Sequence, residues 1–128
     1  MDAINTASLY DAFVRKFSIG QNSLTRFQAS FLSAYNDCLM DLFNESLIEE
    51  PVLLEDTGDN STLEIRFLPQ IKDGIKFFLQ TSGEWVKGDD VDKYAGLAWE
   101  RAKGVISNVL TKADQDASTY TGPWGDVA

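Results

Sequence analysis

The run between Ser23 and Leu47 limits the fold of this chain more than any other feature. Leu24, Phe27, Phe31, Ala34, Tyr35, Cys38, Leu39 and Leu42 follow one another at spacings of three and four. Only an α-helix brings such positions onto one face, so the spacing predicts an amphipathic helix of about 24 residues. Ser23 is its expected N-cap, Leu47 its approximate end, and Pro51 bars any continuation. So wide an apolar stripe has to be buried against other elements. At 128 residues and 44% hydrophobic content, the chain is long enough to supply them within one domain.

The flanking sequence predicts those elements. Leu9, Phe13 and Phe17, with Ala12 alongside, mark a short helix from about Ala7 to Ser18, opened by Ser8 and Asp11 as a capping-box pair. Pro69 suits the first turn of a third helix whose apolar face is Ile71, Ile75, Phe78 and Leu79, closed by Ser82-Gly83. A last helix opens with Asp89, Asp90 and Asp92 at its positive end. It carries Tyr94, Leu97, Ala98, Ala102, Val105, Ile106, Val109 and Leu110 as its apolar face and ends near Ala113. Between the second and third helices, residues 51–67 change period. Pro51–Glu55 and Thr62–Phe67 read as strands around the turn-forming Thr57–Ser61, a small β-hairpin that must pack on the helices or pair with another chain. The expected fold is therefore mostly α: a four-helix bundle with an inserted hairpin over residues 1–115. An extended C-terminal arm follows over 116–128, where Tyr120 and Trp124 stand among Gly122, Pro123 and Gly125.

Charge and chemistry narrow the function classes. The chain has 20 acidic and 11 basic residues, a net charge of −9, and no histidine. That balance argues against phosphate-backbone binding and against an anionic membrane surface, and it removes the commonest general base and zinc ligand. The start, MDAINTASLYDAFV, has no basic segment followed by a long apolar run, so neither a signal peptide nor a membrane span is expected. The lone Cys38 fits a reducing compartment. It lies on an apolar helix face with no histidine to activate it, as a buried structural thiol would.

The acidity has a location. From Asp37 to Glu64 there are nine acidic residues and no Lys or Arg; the rest of the chain carries eleven of each sign. Asp37, Asp41, Glu45 and Glu49 recur every four residues, and Glu50, Glu55 and Asp56 follow. Such a strip can simply be solvated. It can also meet a basic partner, including a second copy presenting Arg15, Lys16 or Arg26, or it can line a passage to which DNA does not stick. A carboxylate enzyme or hard-metal site would use the same residues, but no accompanying motif supports one, so no catalytic, cofactor-binding or metal-ligating residues are expected. Tyr120, Thr121, Pro123 and Trp124 are candidate partner anchors in a segment without a core of its own, the bland alternative being that it folds back on its own domain. Gly96 and Gly104, eight residues apart, either permit close helix approach or are merely tolerated.

Three segments carry a resemblance: Arg26-Phe27 through Asp37-Cys38-Leu39-Met40-Asp41-Leu42, then Ile71–Leu79 with Ser82-Gly83-Glu84-Trp85, then Asp92-Lys93-Tyr94 through Trp99-Glu100-Arg101-Ala102. In their order along the chain these resemble the head–tail connector (adaptor) proteins of tailed bacteriophages. The resemblance implies a structural virion protein at the head–tail junction, made in the bacterial cytoplasm, that is not an enzyme and needs no cofactor. It would form a homo-oligomeric, commonly dodecameric, ring below the portal protein, extend the DNA channel without sequence-specific DNA binding, and offer a platform to neck or tail proteins. On that analogy Ser118–Ala128, with Tyr120 and Trp124, docks on the portal. The hairpin departs from the simplest all-helical members. The competing expectation is an acidic regulatory or DNA-mimic protein that binds a basic partner.

Overall fold

The computed structural model describes residues 3–59, 61–86 and 88–121, with residues 113–121 as backbone alone. Four α-helices share one core: α1 Thr6–Lys16, α2 Leu24–Asn44, α3 Leu68–Thr81 and α4 Ala95–Thr121. No strand occurs among the described residues beyond a single antiparallel bridge, Ala3 to Glu64. No helix among them is long and apolar enough to cross a membrane.

Local chemistry sets the helix ends. α1 is capped by Asn5, whose Oδ1 accepts the Ser8 N–H at 3.0 Å, rather than by the Ser8/Asp11 pair. Arg15 and Lys16 occupy its last turn, where cations suit the dipole. Ser18 then takes a left-handed conformation (φ 52°), and the Ile19 N–H returns to the Val14 carbonyl at 3.0 Å. α2 ends in the same manner, earlier than its periodicity suggests. Ser46 is left-handed (φ 62°) and the Leu47 N–H bonds the Leu42 carbonyl at 2.9 Å, turning the chain back before Pro51 can matter.

The expected hairpin over 51–67 does not form. Its two runs do not pair with each other: the first turns to α2 and the second to the N-terminal segment. The Asn36 side chain takes both backbone groups of Leu54, accepting its N–H at 2.8 Å and donating to its carbonyl at 2.9 Å, in the way an opposing strand would. Leu54 and Leu63 are both buried in the helical core. Asp59 Oδ2 accepts the N–H groups of Glu55 (2.8 Å) and Asp56 (3.0 Å), closing a loop rather than a two-residue strand turn. Among the described residues the second run finds its one ladder partner in the N-terminal segment, where the Ile4 N–H bonds the Leu63 carbonyl at 2.9 Å. Ile65–Phe67 then winds into a 3-10 turn that leads directly into α3, with Pro69 in its first turn where a missing N–H costs nothing.

The core is built around α3. Ile71, Ile75 and Leu79 are buried along one face, and α3 packs against both α2 and α4. Gly74 lies where the three helices meet: a β-carbon there would stand 2.6 Å from Cys38 Sγ and 2.7 Å from the Trp99 ring. α1 closes the other side of α2 with aromatic contacts, Tyr10 on Phe31 (centroids 5.4 Å apart, edge-on) and Phe17 on Phe27 (6.1 Å). Trp85 folds back across the end of α3 onto Phe27 at 5.0 Å, with Arg26 over its ring.

α4 departs from expectation at both ends. Asp89 and Asp90 fall in a separate 3-10 turn, Gly88–Asp90. Asp92 instead joins α3 to the start of α4: its N–H and carbonyl pair with the Gln80 side chain (2.9 and 2.8 Å), while its carboxylate accepts from Tyr94 N–H and Lys76. The bond from the Tyr94 N–H, and then the Lys76 ammonium, hold that carboxyl below its ordinary pKa. At the other end the helix runs on to Thr121, so residues 116–121 of the expected extended arm are helical. Helix propagation adds one bond per residue fixed, and no Gly or Pro stands between Gly104 and Gly122-Pro123.

Candidate functional site

The α2 half of the acidic strip lies beside α4. Asp37 and Asp41 occupy successive turns of α2, with Glu45 at its C-cap, so the four-residue spacing does align them. Glu49 and Glu50 lie beyond the Ser46 reversal and belong to the following loop, so the expected four-carboxylate helical row ends at Glu45. Opposite the row stands Lys103 of α4, only 6% exposed. Its Nζ donates to Asp41 Oδ2 at 3.0 Å and to Glu45, and it pairs with Glu100 one turn back on its own helix. Trp99 Nε1 donates to the same Asp41 oxygen at 2.7 Å, and the Lys103 ammonium lies 5.6 Å from the Trp99 ring centroid.

Burial by itself pulls the Lys103 pKa down. Hydrogen bonds to Glu100, Glu45 and Asp41 outweigh it and hold the ammonium above its ordinary value, so it stays charged. The three carboxylates thus already hold a cation, supplied by the chain. Among the described residues no group of three or more His, Cys, Asp or Glu side chains is placed to hold a metal ion. Behind Asp41, burial and then the neighbouring Asp37 and Asp41 charges push the Cys38 thiol well above its ordinary pKa, which keeps it an unreactive part of the core.

Next to this cluster a shallow groove of about 690 Å³ runs between α2, α3 and α4. Met40 and Phe77 are among its apolar lining, Gly96 lets Phe77 approach α4, and Asp37 and Glu100 are among its acidic lining. A β-carbon at Gly96 would lie 3.2 Å from Phe77, so this glycine shapes the groove, while Gly104 has open space around it. Of the two readings of that pair, close approach holds for one and tolerance for the other.

The loop half of the strip is partly consumed internally. Asp56 accepts from Gln28 at 2.9 Å, Asp59 closes the loop as described, and Glu64 pairs with Arg66 at 2.9 Å. Glu49, Glu50 and Glu55 are exposed and form no salt bridge with another described residue. The strip is therefore two surfaces: a partly neutralised groove at α2/α4 and an exposed acidic loop.

Of the expected anchors, Tyr120 and Thr121 belong to the backbone of α4, and Pro123 and Trp124 lie outside the described residues. The sequence reading missed Lys103 and Trp99 as site residues. The available signal was the stripe Trp99, Ala102, Lys103, Ile106, which places a lysine on the buried side of an amphipathic helix. Comparison with known protein families, curated proteins and solved structures returns no match.

Proposed function

We propose that this chain is a structural head–tail adaptor of a tailed bacteriophage, assembling as a ring below the portal, extending the DNA channel and presenting a platform to neck or tail proteins. The sequence resemblance motivates the reading. Its three segments fall on α2, on α3 with its C-terminal turn, and on the start of α4, elements that pack on one another around Gly74. The single observation that carries it is the length of α4. Leu110 packs against the core, whereas Thr111 and Lys112 are exposed and the helix continues to Thr121. Those eleven residues from Thr111 carry the helix about 16 Å past Leu110. A helix carried this far gives a docking protein reach for the Tyr120–Trp124 segment.

The acidic DNA-mimic alternative is less well supported. A phosphate mimic needs a row of free charges, and here Lys103 neutralises part of the row while Gln28 and backbone N–H groups engage others. The test is truncation. Removing Ser118–Ala128 should leave the thermal midpoint unchanged and abolish co-sedimentation with the cognate portal. A truncated protein that still binds the portal at full affinity would refute the arm as docking segment.

A further inference from the structure

The expected apolar face of α4 divides in two in the folded chain, and only half of it faces the core. Of its residues Ala102 and Ile106 are buried, beside Ala95 and Trp99 from outside that expected face, while Tyr94, Leu97 and Val105 are 68%, 48% and 44% exposed. With Arg101 these last three stand at spacings of three, four and four, one continuous stripe on the outer side of the helix. The charged residues of 93–112 that are not engaged at the core, Lys93, Arg101 and Lys112, are all basic. The outer face of α4 is therefore apolar and cationic.

The α2/α3/α4 groove has the opposite character. Its lining combines the apolar Met40 and Phe77 with Asp37, Asp41 and Glu100, of which Asp41 and Glu100 share the Lys103 ammonium. Neither Asp37 nor Arg101 forms a salt bridge with another described residue. The groove and the outer stripe lie on different sides of α4, since Gly96 and Glu100 are separated from Leu97 and Arg101 by about a third of a turn.

We propose that the outer stripe of α4 in one copy docks into the α2/α3/α4 groove of the next. Leu97 and Val105 cover Met40 and Phe77, and Arg101 meets Asp37. Complementary charge over complementary apolar surface is what selects a second copy as the occupant. Because the two patches differ, the contact is head-to-tail and leaves one patch of each kind free at every step, so it propagates instead of stopping at a two-fold dimer. The inference names the lateral partner within the ring reading above and rests on that reading only for closure of the assembly.

The test uses the full chain alone, at high protein concentration, with a short bismaleimide cross-linker. Cys38 is buried and leaves the engineered thiols as the reactive ones. Met40→Cys protein mixed with Leu97→Cys protein should give a mixed cross-linked dimer, and neither variant by itself should cross-link more than marginally. Arg101→Glu in the Leu97→Cys chain should reduce the mixed product at least fivefold, and Asp37→Lys in the Met40→Cys chain should restore it. Circular dichroism on each variant checks that these exposed substitutions leave the helices intact. A Leu97–Leu97 product would instead indicate a symmetric α4 contact and overturn the proposal, as would no cross-link at all. Portal binding is scored separately. A chain that forms the contact and ignores the portal argues against the adaptor reading alone, and a chain that binds the portal without this contact argues against the docking surface alone.

Discussion

Gly74→Ala should destabilise this protein, although the same change in an exposed helix interior stabilises by about 1 kcal/mol. The reason is the crossing of α2, α3 and α4. The new β-carbon would lie 2.6 Å from Cys38 Sγ and 2.7 and 2.8 Å from two carbons of the Trp99 ring. Carbon contacts settle at about 3.5–4.0 Å, so the neighbours must retreat by roughly 1 Å. They have little room, since Cys38 is 0% and Trp99 1% exposed. Overpacking of a closed core costs about 1–3 kcal/mol, and this site belongs at the upper end. Set against the propensity gain, the net loss is about 1–2 kcal/mol. For a chain of this length that lowers the thermal midpoint by about 4–8 °C. Gly104→Ala provides the control: nothing lies within 4 Å of its β-carbon position, so it should raise the midpoint by up to about 4 °C. Calorimetry on the two variants gives the signs, and thiol-reagent labelling of Cys38 gives a second readout, since the displaced sulfur should react faster in Gly74→Ala. A Gly74→Ala protein as stable as its parent would show that the helices do not cross as closely as described.

Lys103→Met keeps the buried stem but leaves Asp41, Glu45 and Glu100 clustered without a counter-charge. Those carboxylates are partly solvated, so the loss should be about 1–3 kcal/mol rather than the larger cost of a fully buried unpaired charge. Adding Asp41→Asn and Glu45→Gln should recover at least half of the lost urea midpoint; a triple variant no better than the single would show that the charges are not coupled. Tyr35 gives a pH dependence. Burial, only partly offset by its bond to Ser61, pushes its phenol from 10.0 up to about 12. In the unfolded chain the phenol ionises first, so the contribution of this group is complete below pH 10.0 and is lost, by up to about 3 kcal/mol, as pH rises through about 12. Tyr35→Phe should cost about 1 kcal/mol at neutral pH and make the alkaline decline shallower by that share; equal slopes in both proteins would refute the assignment.

The helices were legible from residue spacing alone. Their existence, order and inward faces followed from spacing in α1, α2 and α3, because a 3.6-residue period permits only one way to bury Leu9 with Phe13, Phe27 with Phe31 and Ile71 with Ile75. The sequence also placed the acidity between Asp37 and Glu64, since counting charges needs no coordinates. Tertiary structure decided what spacing cannot carry. Leu63, Ile65 and Phe67 alternate as a strand does, yet the Asn36 and Tyr35 side chains on α2 take up the polar groups of this region and draw Leu54 and Leu63 into a helical core. α4 has apolar residues on more than one side, so only packing against α3 and α2 could settle that Trp99 and Ile106 face inward while Leu97 and Val105 face out. The acidic strip looked free of cations because its partner, Lys103, lies 62 residues beyond Asp41. Charge is a property of composition, but its neutralisation depends on which helices meet, and that is fixed where Gly74 allows three of them to cross.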